Sequence, residues 1–233
     1  MGEFTDSRDG KIYKTTKIGE QIWMAENLNY NTNESMCYDN KVKNCDKYGK
    51  LYNWETAMKA CPMGWHLPRN EEWNILINYV GNTDKLKEIN SWSLTYTWYS
   101  YLKKTDLIPP FLIINFLSVS SDNNAVNFFV LSGLELALYS VYYFMYSSTS
   151  PYVNAKFSGI DNNYGFSALP GGYVDVESNT KKSVEIKKYG GWWTATEVDS
   201  SYAYYRSLYY DMYNVIEHNY YKSFLFSVRC VLD

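Results

Sequence analysis

Few residues in this sequence are of a type and spacing that could do chemistry. Two histidines occur, His66 and His218. His66 lies in a Trp65-His66-Leu67-Pro68 turn with no Ser or Cys nucleophile and orienting acid evident beside it, so it reads as a hydrogen-bonded structural residue. Glu71 and Glu72 could serve as an acid/base pair, but neighbouring helical positions point to different faces. Both suit the first turn of a helix, where the macrodipole favours carboxylates. Asp161-Asn162-Asn163-Tyr164-Gly165 could offer oxygens to calcium, yet Asn and Asp in such a run favour an Asx turn. Gly171-Gly172 and Gly190-Gly191 do not form a phosphate-binding loop and are read as turns. No catalytic residue, metal site or cofactor is expected.

The four cysteines, Cys37, Cys45, Cys61 and Cys230, lack the paired spacing of a zinc site. Two disulfides are the simplest reading: Cys37 to Cys45 closing a polar loop, and Cys61 to Cys230 tying a helix end to the last strand. The alternative is four reduced, buried thiols. Disulfides would place the protein in an oxidising setting such as a bacterial surface or periplasm. No signal peptide precedes Met1, so an exported protein would carry this sequence as a mature form or a fragment.

Aromatic residues make up 18% of the 233-residue chain, with 25 Tyr and 8 Trp, about double the usual share. They concentrate between Asp199 and Tyr221, interleaved with Ser, Asp and Asn. Tyrosines at alternate strand positions cannot all face a core, so several must reach solvent. Rigid amphipathic rings among small polar residues are the composition of antibody binding loops. An ordinary Tyr-rich sheet face has the same composition. The candidate ligand contacts are Trp192, Tyr204, Tyr205, Arg206, Tyr209, Tyr210 and Tyr213. A net charge of −3 with scattered Lys and Arg gives no footprint for nucleic acid.

Periodicity supplies the elements that would position these groups. Trp54, Ala57, Met58 and Cys61 recur at i, i+3, i+4 and i+7, predicting a helix that Pro62 and Gly64 stop. Asn70 is the expected N-cap of a second helix burying Trp73, Leu76, Tyr79 and Val80, with Gly81 at its end. Asp9-Gly10 suits a two-residue hairpin loop, and Gly19-Glu20 a second turn. Residues 29–50 are polar and Asn-rich and read as a loop. Strands follow Tyr164, and in the last of them Phe224, Phe226, Val228 and Cys230 share one face. Between them, residues 107–146 carry two apolar runs. The second approaches the roughly 20 residues that span a bilayer, but Glu135 would be costly there. A tucked-in or partner-facing insertion is the favoured reading over a membrane segment. The expected fold class is α+β.

Six motifs carry a resemblance: Phe4-Thr-Asp-Ser-Arg-Asp-Gly10, Trp23-Met-Ala-Glu-Asn-Leu-Asn-Tyr30, Cys61-Pro-Met-Gly-Trp-His-Leu-Pro68, Tyr164-Gly-Phe-Ser-Ala-Leu-Pro-Gly-Gly-Tyr173, Trp192-Trp-Thr-Ala-Thr-Glu197 and Phe226-Ser-Val-Arg-Cys230. In this order they resemble the Fibrobacter succinogenes major paralogous domain and, more broadly, the C-type lectin-like fold. The resemblance implies two short helices packed on mostly antiparallel, twisted sheets. It implies a single domain over residues 1–233 with an atypical insertion at about 93–160, in a secreted or surface protein of bacteria. It supplies no catalytic residues. The Leu67-Pro-Arg-Asn-Glu-Glu-Trp73 helix start is also similar to that of formylglycine-generating enzymes, which use a reactive cysteine pair in the C-terminal half; only Cys230 lies there. The calcium-loop tripeptides of sugar-binding C-type lectins, Glu-Pro-Asn and Gln-Pro-Asp, do not occur. The Tyr-rich region is similar to the variable segment of lectin-fold proteins diversified by retroelements. A non-catalytic adhesion module for a protein or glycan is therefore the leading expectation. An oxidase-fold enzyme and a membrane-associated surface protein using residues 107–146 stand as alternatives.

Overall fold

Strand alternation sets the first sheet. In the computed structural model, which describes residues 1–88, 91–92, 162–177, 180–210, 212 and 214–233, β2 (Ile12–Ile18) buries Tyr13, Thr15, Thr16 and Ile18 while Lys14 and Lys17 face solvent. It pairs antiparallel with β1 (Gly2–Thr5) on one side and β3 (Gln21–Met24) on the other. Gly19-Glu20 makes the second turn as expected, with Gly19 at φ 61°. The first connection is longer than the expected two residues. It runs from Asp6 to Lys11 because the Asp6 carboxylate turns inward and takes the Arg8 side chain at 2.7 and 2.9 Å.

The Asn-rich segment is more ordered than its composition suggests. It holds a 3-10 turn, Tyr38–Asn40, and a helix, α1 (Val42–Tyr48), joined by the Cys37–Cys45 disulfide. Strand β4 (Leu51–Tyr52) leads to α2 (Trp54–Ala60), whose N-cap is Asn53, its side chain accepting from the Thr56 amide at 2.9 Å. Ala57 and Ala60 are buried, but Met58, expected on the same face, is exposed. A short β5 (Trp65–His66) precedes α3 (Asn70–Val80). Here the cap lies one residue earlier than expected, at Arg69: the Glu72 carboxylate accepts from the Arg69 amide at 2.8 Å, closing the first turn. Trp73, Leu76 and Val80 are buried, whereas Tyr79 stands 59% exposed.

The remaining strands are β6 (Tyr173–Glu177), β7 (Thr180–Val184), β8 (Tyr189–Glu197), β9 (Tyr202–Tyr209), β10 (Ile216–Tyr221), β11 (Phe226–Ser227) and β12 (Val231–Leu232). Sheet order is β1-β2-β3-β12-β5 in one sheet and β10-β9-β8-β11-β4 in the other, with β6-β7 a separate hairpin. The architecture is α+β with mainly antiparallel pairing; β11 runs parallel to β8 through Ser227 and Trp192. Residues Met1–Ser93 and Ile160–Asp233 make one compact unit. The apolar segment 107–146 lies outside the described residues. No helix among the described residues is long and apolar enough to cross a membrane.

Gly190 and Gly191 sit inside β8 and not in a turn. A Cβ on Gly191 would come within 2.8 Å of both Phe226 and Tyr189, so bare backbone is what lets those two rings lie across the strand. The segment expected as one final strand is split into β11 and β12, and both of its faces are buried. Cys230 meets Cys61 in the second disulfide, and Val231 bridges Trp23 and His66, so the end of the chain closes the first sheet.

The core of this unit holds a cation among rings. Trp23, Trp73 and Phe166 pack edge to face at 5.1–5.8 Å. The fully buried Arg229 guanidinium lies 4.4 Å over Phe166, donates to the Phe166 carbonyl, and reaches Asn27 Oδ1 at 2.5 Å. Asn27 also accepts from Trp192 Nε1 at 2.8 Å and donates to the Tyr48 carbonyl at 2.8 Å. Burial pulls the Arg229 group down to about 9, which leaves it charged at neutral pH.

An aromatic band on the C-terminal strands as candidate functional site

Register decides which tyrosines can meet a ligand. β9 pairs with β10 through Tyr205↔His218, Ala203↔Tyr220 and Arg206↔Glu217, so successive β9 residues point to opposite faces. One face turns toward α3. Arg206 is buried there, donating to Asn74 Oδ1 at 3.0 Å and to the Asn70 carbonyl at 3.3 Å while pairing with Glu217. Trp192 is wholly buried against Trp73 on the same side, and Tyr210 packs at its edge. Trp192 and Arg206 are therefore core residues rather than the surface contacts their sequence neighbourhood suggests. Tyr204 is half-buried on this face, and Tyr213 lies outside the described residues.

The other face carries a two-layer arrangement of rings. Its floor is buried: Tyr205 stacks on Phe226 at 4.4 Å, Trp193 meets Phe226 edge-on at 4.8 Å, and Tyr189 and Phe224 complete it. Tyr205, expected as a contact, thus belongs to the floor. Above it lie half-exposed rings drawn from three strands. Tyr209 crosses Tyr189 at 4.8 Å, Tyr173 crosses Tyr189 at 5.4 Å, and His218 stacks on Tyr205 at 5.3 Å. Tyr220, 41% exposed, meets Phe224 at 4.4 Å. Tyr221 and Tyr202, paired across the strands with their rings 4.5 Å apart, start from the Arg206 side of the sheet. Of the expected contacts only Tyr209 sits in this upper layer; Tyr173, His218 and Tyr220 join it from positions outside the expected contacts.

The electrostatics fit a hydrogen-bonding surface. Burial first, and then the nearby Glu185 and Asp175 carboxylates, push the Tyr173 hydroxyl up to about 12. Tyr209 and Tyr220 act on the same hydroxyl, and the three rings share Tyr189 and Phe224 as neighbours. Burial lowers His218 from its ordinary value, so its ring is neutral at pH 7 and both donates and accepts.

Elsewhere, candidate chemistry is used up by structure. His66 Nδ1 lies 2.6 Å from Asp233 Oδ1 and Nε2 lies 2.8 Å from Glu72 Oε1, so both ring nitrogens are taken. Burial disfavours the charged ring, but the hydrogen bonds to Glu72 and Asp233 outweigh it and the His66 value is raised. A cavity of about 560 Å3 opens beside it, lined by Met58, His66, Leu67, Arg69, Glu72 and Ala195. Glu72 also accepts from the Arg69 amide through its second oxygen. The Asn162 side chain closes on Ser167 through two contacts of 2.7 Å, five residues on and not the two of the Asx turn expected there. All four cysteines are in disulfides. Among the described residues no group of His, Cys, Asp and Glu could hold a metal ion.

No curated protein and no solved structure matches the chain. A model of the Fibrobacter succinogenes major domain matches residues 16–232, which include both disulfides, the Arg229–Asn27 centre and the aromatic band. The chain therefore belongs to the Fibrobacter succinogenes major domain family.

Proposed function

We propose that this protein is a non-catalytic binding module with a C-type lectin-like fold, displayed outside the bacterial cell, that recognises a protein or glycan through the aromatic band. One observation carries the reading: half-exposed rings from β6, β9 and β10 are held over a buried aromatic floor. Such rings lose little freedom when a ligand covers them, so little of the interaction is offset by ordering. The two disulfides support an extracytoplasmic setting and a rigid scaffold. The saturation of His66 and the pairing of Cys230 with Cys61 support a role without catalysis. The presence of β1 and β12 in one sheet, beside helices α2 and α3 and a second sheet, supports the lectin-like reading.

The test is a capture screen against an immobilised panel of extracellular glycans and proteins, using the wild type, Tyr209→Ala/Tyr220→Ala and Tyr79→Ala. Tyr79 is an exposed ring on α3. The reading requires that hits of the wild type persist with Tyr79→Ala and weaken at least about tenfold, or ~1.4 kcal/mol, with the double variant. Equal capture by all three proteins would place the site elsewhere.

A further inference from the structure

We infer that the part of the band around Tyr173 is a subsite for an uncharged pyranose unit of a glycan, an assignment that rests on the binding-module reading above. Tyr173 leads β6, and Asp175, two residues on, shares its face and is half-exposed. Asp175 Oδ1 is buried and has no hydrogen-bond partner among the described residues, an acceptor left unsatisfied on the Tyr173 side of β6. Tyr173 and Tyr209 both cross Tyr189, and Tyr173 and Tyr220 both lie against Phe224, so three phenols border one patch, with Asp175 beside it on β6 and Glu185 next to Val184, the register partner of Tyr173.

That mixture selects a chemical class. The C–H bonds on one face of a pyranose carry slight positive charge, and the negative face of a phenol ring attracts them. The outward hydroxyls donate to carboxylates and exchange hydrogen bonds with phenols. Asp175 and Glu185 outnumber Lys182, which lies across the hairpin from Asp175, and disfavour a uronate or another acidic sugar. Protein hot spots use Tyr too, but together with Trp and Arg anchors in desolvated pockets. Here the described residues of the band offer neither at the surface: Arg206 and Trp193 are buried, and the exposed layer is Tyr and His.

Isothermal titration with soluble gluco-, manno- and xylo-oligosaccharides, and with oligogalacturonate of equal length as the acidic counterpart, tests the assignment. At least one neutral series should bind and oligogalacturonate should not. Tyr220→Ala should weaken the neutral ligand about tenfold, while Tyr220→Phe, which keeps the ring, should cost less than about threefold. Asp175→Asn should weaken the neutral ligand and narrow the discrimination against oligogalacturonate. Thermal melts of the variants should match the wild type, since Tyr220 and Asp175 are at the surface or half-exposed. No binding of any neutral series, equal binding by Tyr220→Ala, or equal binding of the acidic oligosaccharide would overturn the glycan assignment. If a protein is captured through Tyr209 and Tyr220 while every neutral oligosaccharide fails, the subsite falls and the binding-module reading stands.

Discussion

The two disulfides should contribute very unequally to stability. Cys61–Cys230 closes a sequence separation of 169 residues, whereas Cys37–Cys45 closes 8. Loop-closure entropy in the unfolded chain grows with the logarithm of loop length, which gives ~5 kcal/mol for the long bridge and ~2.5 kcal/mol for the short one. The long bridge also joins the C-terminal end of α2 to the residue before β12, and Cys230 is fully buried. Its loss therefore removes packing at the seam of the first sheet as well as the tether. Urea unfolding followed by near-ultraviolet circular dichroism, on the wild type, Cys61→Ala/Cys230→Ala and Cys37→Ala/Cys45→Ala, measures both costs. The denaturant slope should rise most for the Cys61→Ala/Cys230→Ala protein, because its denatured chain is freed to expand and exposes more surface. If the short-bridge variant loses as much stability as the long-bridge variant, the view that the Cys61–Cys230 tether holds the scaffold is wrong.

Three further perturbations follow from the packing. Arg229→Lys should destabilise at least as much as Arg229→Met, by ~3 kcal/mol or more, because a buried charge is kept while the fork that reaches Asn27 and Phe166 is lost; denaturant midpoints decide this. Gly191→Ala should cost ~1–3 kcal/mol by forcing Phe226 and Tyr189 apart, and the same variant should weaken ligand capture because those rings carry the band. His66 has a raised value, so its bonds to Glu72 and Asp233 stabilise fully below about pH 6.5, the unfolded value, and fade as pH climbs through the folded one. The ring is more than a third exposed, so the gain over His66→Gln should stay below ~1 kcal/mol at mildly acid pH and shrink at alkaline pH. A difference that grows with pH would contradict the assignment.

Local signals carried much of the fold. The apolar spacing of Trp54–Ala60 and Trp73–Val80, the Gly19-Glu20 turn and the cysteine positions all have direct counterparts in the structure. What was not legible depends on neighbours far along the chain. Helix α1 buries only Cys45 and Tyr48, too few apolar positions to show a period, and the disulfide pins it. Gly190-Gly191 resembles a turn by composition, yet its role is to leave room for Phe226, 35 residues downstream of Gly191. The tyrosine run pointed to strands that carry exposed rings but not to which of their side chains are exposed. Both faces of β9 are covered near β8, so Trp192, Tyr205 and Arg206 are enclosed. Exposed rings come instead from the edge strand β10 and from Tyr173, a residue that no local pattern links to Tyr209 or Tyr220.

The most direct test of binding through the band is fluorine NMR of the protein carrying fluorotyrosine, with resonances assigned by Tyr→Phe variants and followed as a ligand captured from the panel is added. Tyr173, Tyr209 and Tyr220 should shift together and saturate at one stoichiometry, while Tyr79 stays in place. Saturable shifts at Tyr79 with Tyr209 and Tyr220 unchanged would contradict the account.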